Sequence, residues 1–269
     1  MKKITIGIQT HAVREDFSAN PAETLQRIKA IGYEGIETTW SALEGAKGGP
    51  CSDPEYFLGL LEQNGLQCFS VMLSWGGQVK EKLDGILDYC KKIKCETIVL
   101  GGGVAQLDYG ETEESRLTIL EEVKAVAAKI RAAGFRTGFH NHDCDHLTTV
   151  DGSKTVFDFL FENTGDDYML MIDTGNTQGG DADPIELVKK YPHRTQIAHF
   201  KGYSSEKKYL TPVWEAEIDS DELIRTLVED GDAEIFSIEF GARGEYIPFE
   251  RAERSYQWLA AKLKEKGLI

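Results

Sequence analysis

The chain has 269 residues, 41% of them hydrophobic and 28% charged, a globular composition that excludes disorder, collagen and coiled coil. Its 45 acidic and 30 basic residues give a net charge of −15, which repels nucleic-acid phosphates and anionic lipid and argues against either as a partner. The opening, Met1-Lys2-Lys3-Ile4-Thr5-Ile6-Gly7-Ile8, reads as a first strand. Its apolar run is too short for a signal peptide or a membrane span, and Gln9 and His11 break it. Asn20, Pro21 and Glu23 then mark a helix start with a capping box, and Leu25, Ile28 and Ile31 share one face of that helix. Ser52-Asp53-Pro54-Glu55 repeats the same start, and a third helix carries Val79, Leu83, Ile86, Leu87, Cys90 and Ile93 at helical spacing.

In chain order, strands are predicted near 4–9, 35–39, 67–73, 97–101, 136–141, 169–173, 195–200 and 235–240, with helices between them and one after the last. Four helix exits share a glycine: Ile31-Gly32-Tyr33, Asn64-Gly65-Leu66, Ala133-Gly134-Phe135 and Asp230-Gly231-Asp232. A glycine there accepts a left-handed conformation before the chain turns into a strand. Eight βα repeats joined by short connections predict one (β/α)₈ TIM-barrel domain spanning residues 1–269. An open dinucleotide-binding sheet would want a glycine fingerprint. The nearest candidate, Gly101-Gly102-Gly103-Val104-Ala105-Gln106, lacks the third glycine and reads as a loop at the barrel mouth. The five cysteines, Cys51, Cys68, Cys90, Cys95 and Cys144, are odd in number and form no CxxC pair, which predicts reduced thiols and a cytoplasmic protein.

Barrel active sites gather at the C-terminal ends of the strands, so placing the strands nominates the site. Strand five ends in Phe139-His140-Asn141-His142-Asp143, strand six in Asp173-Thr174-Gly175-Asn176, strand seven in His199-Phe200-Lys201 and strand eight in Glu239-Phe240-Gly241. A single histidine on an apolar strand is more often a hydrogen-bonded core residue than a ligand. Four ligand-type side chains on successive strands, all at the same end, instead point to one divalent ion held by His140, Asp173, His199 and Glu239. Mn²⁺ is the first choice for such a nitrogen and oxygen set, with Mg²⁺, Co²⁺, Zn²⁺ and Fe²⁺ as alternatives.

These segments resemble the xylose-isomerase-like TIM-barrel superfamily, which includes sugar phosphate isomerases/epimerases, inosose dehydratases and endonuclease IV. The resemblance runs over nearly the whole chain. It is carried by His140-Asn141-His142, by Asp173-Thr174-Gly175-Asn176 followed by Gly180-x-x-Asp183-Pro184, and by His199-Phe200-Lys201. It implies a metal held from strands five to eight, and Asp173, His199 and Glu239 match the family's ligands in residue type. His140 stands where the ketose epimerases have a glutamate, so only Glu239 remains of their two opposed proton-handling carboxylates. A His-x-His fifth strand looks more like the inosose dehydratase branch. Asn176 replaces a substrate-contacting histidine of many relatives, and His146 a glutamate of some. The three-metal endonuclease arrangement needs histidines after the sixth and seventh strands. Here Asn176 takes the first place and no histidine follows His199, so a DNA-repair role is not expected.

A divalent ion bound to a carbonyl and its neighbouring hydroxyl acidifies the adjacent C–H, and Glu239 is positioned to remove that proton. Returning the proton elsewhere gives isomerisation or epimerisation of a small sugar or sugar phosphate. Expelling a β-substituent gives a lyase acting on a keto-inositol or 3-keto-sugar. A non-catalytic sugar-binding barrel is the third reading. His142, His146 and Asp145 are the candidates for the second proton handler, and His142 is preferred because alternation puts it on the same strand face as His140. Lys201, Asn176, Trp75, His146 and Glu37 are the expected substrate contacts, with Gln9 and His11 as weaker candidates. The expected partner is a small carbohydrate, and homo-oligomerisation is left open.

Overall fold

The alternation of apolar strands and capped helices closes on itself. Eight parallel strands pair in chain order, β1 with β2 through to β7 with β8, and β8 returns to β1. They are β1 (Thr5–Gln9), β2 (Gly35–Thr39), β3 (Gln67–Ser74), β4 (Thr97–Gly101), β5 (Arg136–His140), β6 (Tyr168–Asp173), β7 (Ile197–Phe200) and β8 (Ile235–Ile238). The principal outer helices are α1 (Pro21–Ile31), α2 (Pro54–Asn64), α3 (Gly77–Lys92), α4 (Glu113–Ala132), α5 (Val156–Glu162), α6 (Pro184–Lys190), α7 (Ser220–Glu229) and α8 (Pro248–Glu265). This computed structural model describes residues 3–44, 49–75, 77–101, 112–241 and 246–269. The glycine run after β4 falls outside them beyond Gly101. The (β/α)₈ TIM barrel read from the sequence is the fold. Among the described residues no helix is long and apolar enough to cross a membrane.

Local chemistry accounts for most boundaries. Asp53 caps α2 and Asp183 caps α6, each accepting a backbone N–H in the first turn ahead of a proline. At α1 the Asn20 carbonyl oxygen accepts from the Glu23 N–H. The reciprocal half of the capping box is different from expectation. The Asn20 backbone N–H closes the preceding short helix on the Asp16 carbonyl, and the Glu23 carboxylate takes the Asn20 side-chain amide instead. Gly32, Gly65 and Gly134 adopt positive φ, but at the fourth exit the left-handed residue is Asp232 (φ 61°). Gly231 is needed for another reason, because a Cβ there would lie 2.7 Å from the Leu227 carbonyl oxygen.

The lumen has its own apolar cluster: Phe69, Met72, Val99, Met169, Met171, Ile197 and Ile235. A register shift between Ile36 and Glu37 inserts Phe69 as an extra residue in β3, a bulge that re-aims the strand. The Phe69 ring fills space vacated by two glycines; a Cβ on Gly7 would collide with it, and one on Gly35 would lie 3.0 Å away. Burying such a ring stabilises the fold by about 2–3 kcal/mol. Because side chains alternate along a strand, positions two further on from this plug face the same lumen toward the mouth. Met171 is followed by Asp173, Ile197 by His199 and Lys201, and Ile235 by Ser237 and Glu239. The apolar floor therefore determines which polar residues line the mouth.

Candidate metal centre and active site

His140, Asp173, His199 and Glu239 meet at the mouth, with one ligand-type atom from each within 4.8 Å of all the others. All four are buried. His199 Nδ1 lies 2.7 Å from Glu239 Oε2 and 3.9 Å from Asp173 Oδ2, yet neither ring nitrogen is aligned for a hydrogen bond. Asp173 Oδ2 and His140 Nδ1 are likewise buried without a hydrogen-bond partner. Leaving such atoms unpaired costs about 1–3 kcal/mol each, more for charged groups. Convergent, unpaired nitrogen and oxygen donors fit a single divalent ion, which would satisfy them together.

A second ring of groups sets the electrostatics. Glu37 is fully buried, with Oε1 2.9 Å from His199 Nε2 and accepting a hydrogen bond from Gln9 Nε2 at 2.6 Å. Burial works against a charged His199, but Glu37 and Glu239 outweigh it and raise the imidazole well above its usual value. His140 is driven the other way by burial and by its neighbour His199. Lys201 Nζ reaches Asn176 Oδ1 at 3.0 Å, Glu239 Oε1 at 3.2 Å and Asp173 Oδ2 at 3.6 Å. Burial opposes that ammonium, yet the two carboxylates together hold its pKa above the ordinary lysine range. In turn Lys201 and His199 overcome burial to keep Glu239 well below the usual carboxylate range, whereas burial pushes Asp173 up to about 6.

The remaining sequence candidates divide. His142 follows β5 with its ring edge-on to His140, 5.1 Å between centroids, and burial lowers its pKa. Its Nδ1 is buried and without a hydrogen-bond partner. Asn176 and Lys201 stand in the same cluster. Three expected substrate contacts are placed differently. Glu37 lies against His199, where its carboxylate can orient that ring. His146 faces away, with its ring against Phe157 at 4.5 Å and its Nε2 3.0 Å from Asn141 Nδ2. Trp75 is only 6% exposed and packs in the apolar core, with the Lys80 ammonium 5.7 Å over its ring. Of the weaker candidates, Gln9 is a second support for Glu37, and His11 is exposed with Nε2 2.9 Å from Arg14 Nη1.

Sequence reasoning passed over two residues. Asn141 alternates away from the lumen but turns its amide along the strand ends toward Asp173. Tyr209, in a 3₁₀ turn after β7, donates to Asp143 Oδ2 at 2.8 Å beside His142. Neither belongs to a periodic pattern; the only sequence signal was an amide between two histidines.

Comparisons with known proteins agree with this architecture. The chain resembles a sugar phosphate isomerase/epimerase from Parabacteroides distasonis at 19% identity and a TM-score of 0.74, covering 97% of this chain and 95% of that one. It resembles the probable 3-DHS dehydratase AsbF of Bacillus anthracis at 16% identity and a TM-score of 0.72, covering 97% and 99%. A third similar structure is D-allulose 3-epimerase from Methylomonas sp. in complex with D-allulose, at 14% identity and a TM-score of 0.69, covering 97% and 98%. A search of curated proteins returned no match. The sequence model of one family matches residues 25–262, and on that match the chain belongs to the xylose isomerase-like TIM barrel family.

Proposed function

We infer that the protein is a divalent-metal-dependent isomerase or epimerase of a small sugar or sugar phosphate. The convergence of His140, Asp173, His199 and Glu239 within 4.8 Å, beside a largely buried lysine, carries this reading. It is supported by the resemblance to sugar isomerases and epimerases, one of them bound to D-allulose. The four residues would hold the ion, with Mn²⁺ the first candidate; when bound, it polarises a substrate carbonyl and the neighbouring hydroxyl. Glu239, kept ionised by Lys201 and His199, accepts the proton from the adjacent carbon. His142, whose pKa burial lowers, exchanges the second proton at its imidazole. Lys201 and Asn176 orient a substrate oxygen by hydrogen bonds, and the encircling strand ends keep bulk water from the base.

One observation favours a second reading, elimination from a keto-inositol or 3-keto-sugar. Strand β5 presents His140 in place of a carboxylate, leaving Glu239 without an opposed twin, and one similar structure is a probable dehydratase. A test is to incubate the Mn²⁺-loaded protein with ketoses, keto-inositols and 3-keto-glycosides in D₂O. Deuterium uptake next to the carbonyl without loss of water is expected, and Glu239→Gln should abolish it. Unsaturated products would move the assignment to the lyase. Neither exchange nor elimination on any member would refute the enzymatic reading.

A further inference from the structure

The geometry assigns to Asn141 the role of positioning residue for the metal centre: its amide holds Asp173 so that one carboxylate oxygen alone is offered to the ion. This rests on the metal-centre reading above and extends it to a residue outside the ligand set. Asn141 is fully buried between β5 and the helical turn that follows it. The Asp173 N–H lies 2.9 Å from its side chain. Because an N–H can only donate, the Asn141 atom there is the carbonyl oxygen, and this fixes the orientation of the amide. Its Nδ2 then has two hydrogens to place. One goes to Thr177 Oγ1 at 3.0 Å and the other to His146 Nε2 at 3.0 Å. Thr177 accepts and still has its own hydrogen, which it donates to the Asp173 carbonyl at 2.8 Å.

Asn141 therefore grips Asp173 at both peptide groups, the N–H directly and the C=O through Thr177. A third thread comes from its backbone. The Asn141 carbonyl accepts Asn176 Nδ2 at 3.0 Å, and the Asn176 N–H donates to Asp173 Oδ1 at 2.7 Å. Three of the four polar atoms of Asp173 are thus committed to one net that returns to Asn141. The fourth, Oδ2, has no hydrogen-bond partner and faces Lys201 and His199. The same net reaches the ammonium, because donating Nδ2 to Asn141 leaves Asn176 Oδ1 turned toward Lys201 Nζ at 3.0 Å. A side-chain amide that only filled space would not need every one of these bonds satisfied. Groups that orient a ligand in this way typically carry a 10–100-fold effect on metal affinity.

The test uses the full chain with Asn141→Ala and Thr177→Val, the second being close in shape to the residue it replaces. Three quantities are read: Mn²⁺ affinity by titration calorimetry, exchange of the Asp173 amide hydrogen by NMR in metal-free protein, and urea stability. Asn141→Ala should weaken Mn²⁺ binding by about 10–100-fold and speed Asp173 amide exchange at least tenfold. Thr177→Val should weaken Mn²⁺ binding in the same direction by a smaller factor, and it carries the test if Asn141→Ala does not fold. A folded variant that loses urea stability but binds Mn²⁺ as tightly as wild type would show a merely structural residue and overturn the proposal. If wild-type protein takes up no Mn²⁺, the metal centre fails by itself. The exchange measurement then still decides whether Asn141 holds Asp173, and unchanged protection in Asn141→Ala overturns that too.

Discussion

Replacing Lys201 by methionine tests the charge balance of the mouth. Its ammonium lies 3.2 Å from Glu239 Oε1 and 3.6 Å from Asp173 Oδ2, with its side chain 13% exposed. At those distances each pair attracts by about 5 kcal/mol at an effective dielectric of 20, most of which offsets the cost of removing the charges from water. Breaking a buried pair from one side costs about 3–5 kcal/mol, because the stranded carboxylates stay behind. In a chain of this size that is a fall of roughly 6–20 °C in Tm, measured in chelator. Metal binding should move the opposite way. An ion about 2.2 Å from Asp173 Oδ2 lies within about 6 Å of Nζ, where a lysine and a divalent cation repel by about 1.4–5.5 kcal/mol across dielectrics of 80 to 20. Lys201→Met should therefore bind Mn²⁺ at least tenfold more tightly by calorimetry while losing turnover. Unchanged Tm in chelator together with unchanged Mn²⁺ affinity would mean that Lys201 does not neutralise the site, and the reasoning fails.

His140→Ala should lose bound metal and activity together, whereas His142→Asn should keep its metal content by elemental analysis and lose roughly 10²–10⁴ in turnover, the usual range for a general acid or base. Metal retained in His140→Ala with full activity in His142→Asn would reverse the two roles. Acid stability is set in part by His146, whose pKa burial lowers to about 4 from an ordinary value of 6.5. The unfolded chain takes that proton first, so stability falls as pH drops below 6.5, and this share of the loss is complete near 4. It amounts to about 3 kcal/mol. Urea midpoints across this range should be flatter by that amount in His146→Gln, which keeps an acceptor for Asn141; an equally steep profile would show that the imidazole is not held neutral.

The barrel was legible because each signal was local. Asp53-Pro54 and Asp183-Pro184 cap their helices as read, and every predicted strand is found with boundaries shifted by two residues or fewer. The ligand set was legible for the same reason: a polar residue closing an apolar strand has few places to go once the strands are parallel. The supporting groups were not. Glu37 sits in the middle of an ordinary strand, and only barrel closure brings its carboxylate against His199, which is far away in sequence. Trp75 and His146 looked like mouth residues by position, but the direction of each side chain depends on packing against helices that periodicity does not orient. At Asp230-Gly231-Asp232 the turn was correctly located and its left-handed residue misplaced by one, because either Asp or Gly tolerates that conformation.

The floor of the barrel has a consequence for how this protein can change. One ring, Phe69, takes the room that two absent side chains leave at Gly7 and Gly35, so the three positions form a linked lock. A larger residue at Gly7 collides with the ring, one at Gly35 meets the Gln67 carbonyl oxygen at 2.8 Å and crowds the ring, and truncating the ring to alanine leaves a hollow worth about 3–5 kcal/mol. Viable substitutions there must come in compensating sets, and single steps are blocked. Met171, Ile197 and Ile235 belong to the same cluster as that ring, two or four positions before the ligand-bearing ends of their strands. Substitutions that avoid this lock are those in the loops around the mouth, away from the packed floor. Substrate preference can be rewritten there while the platform carrying the ligands keeps its register.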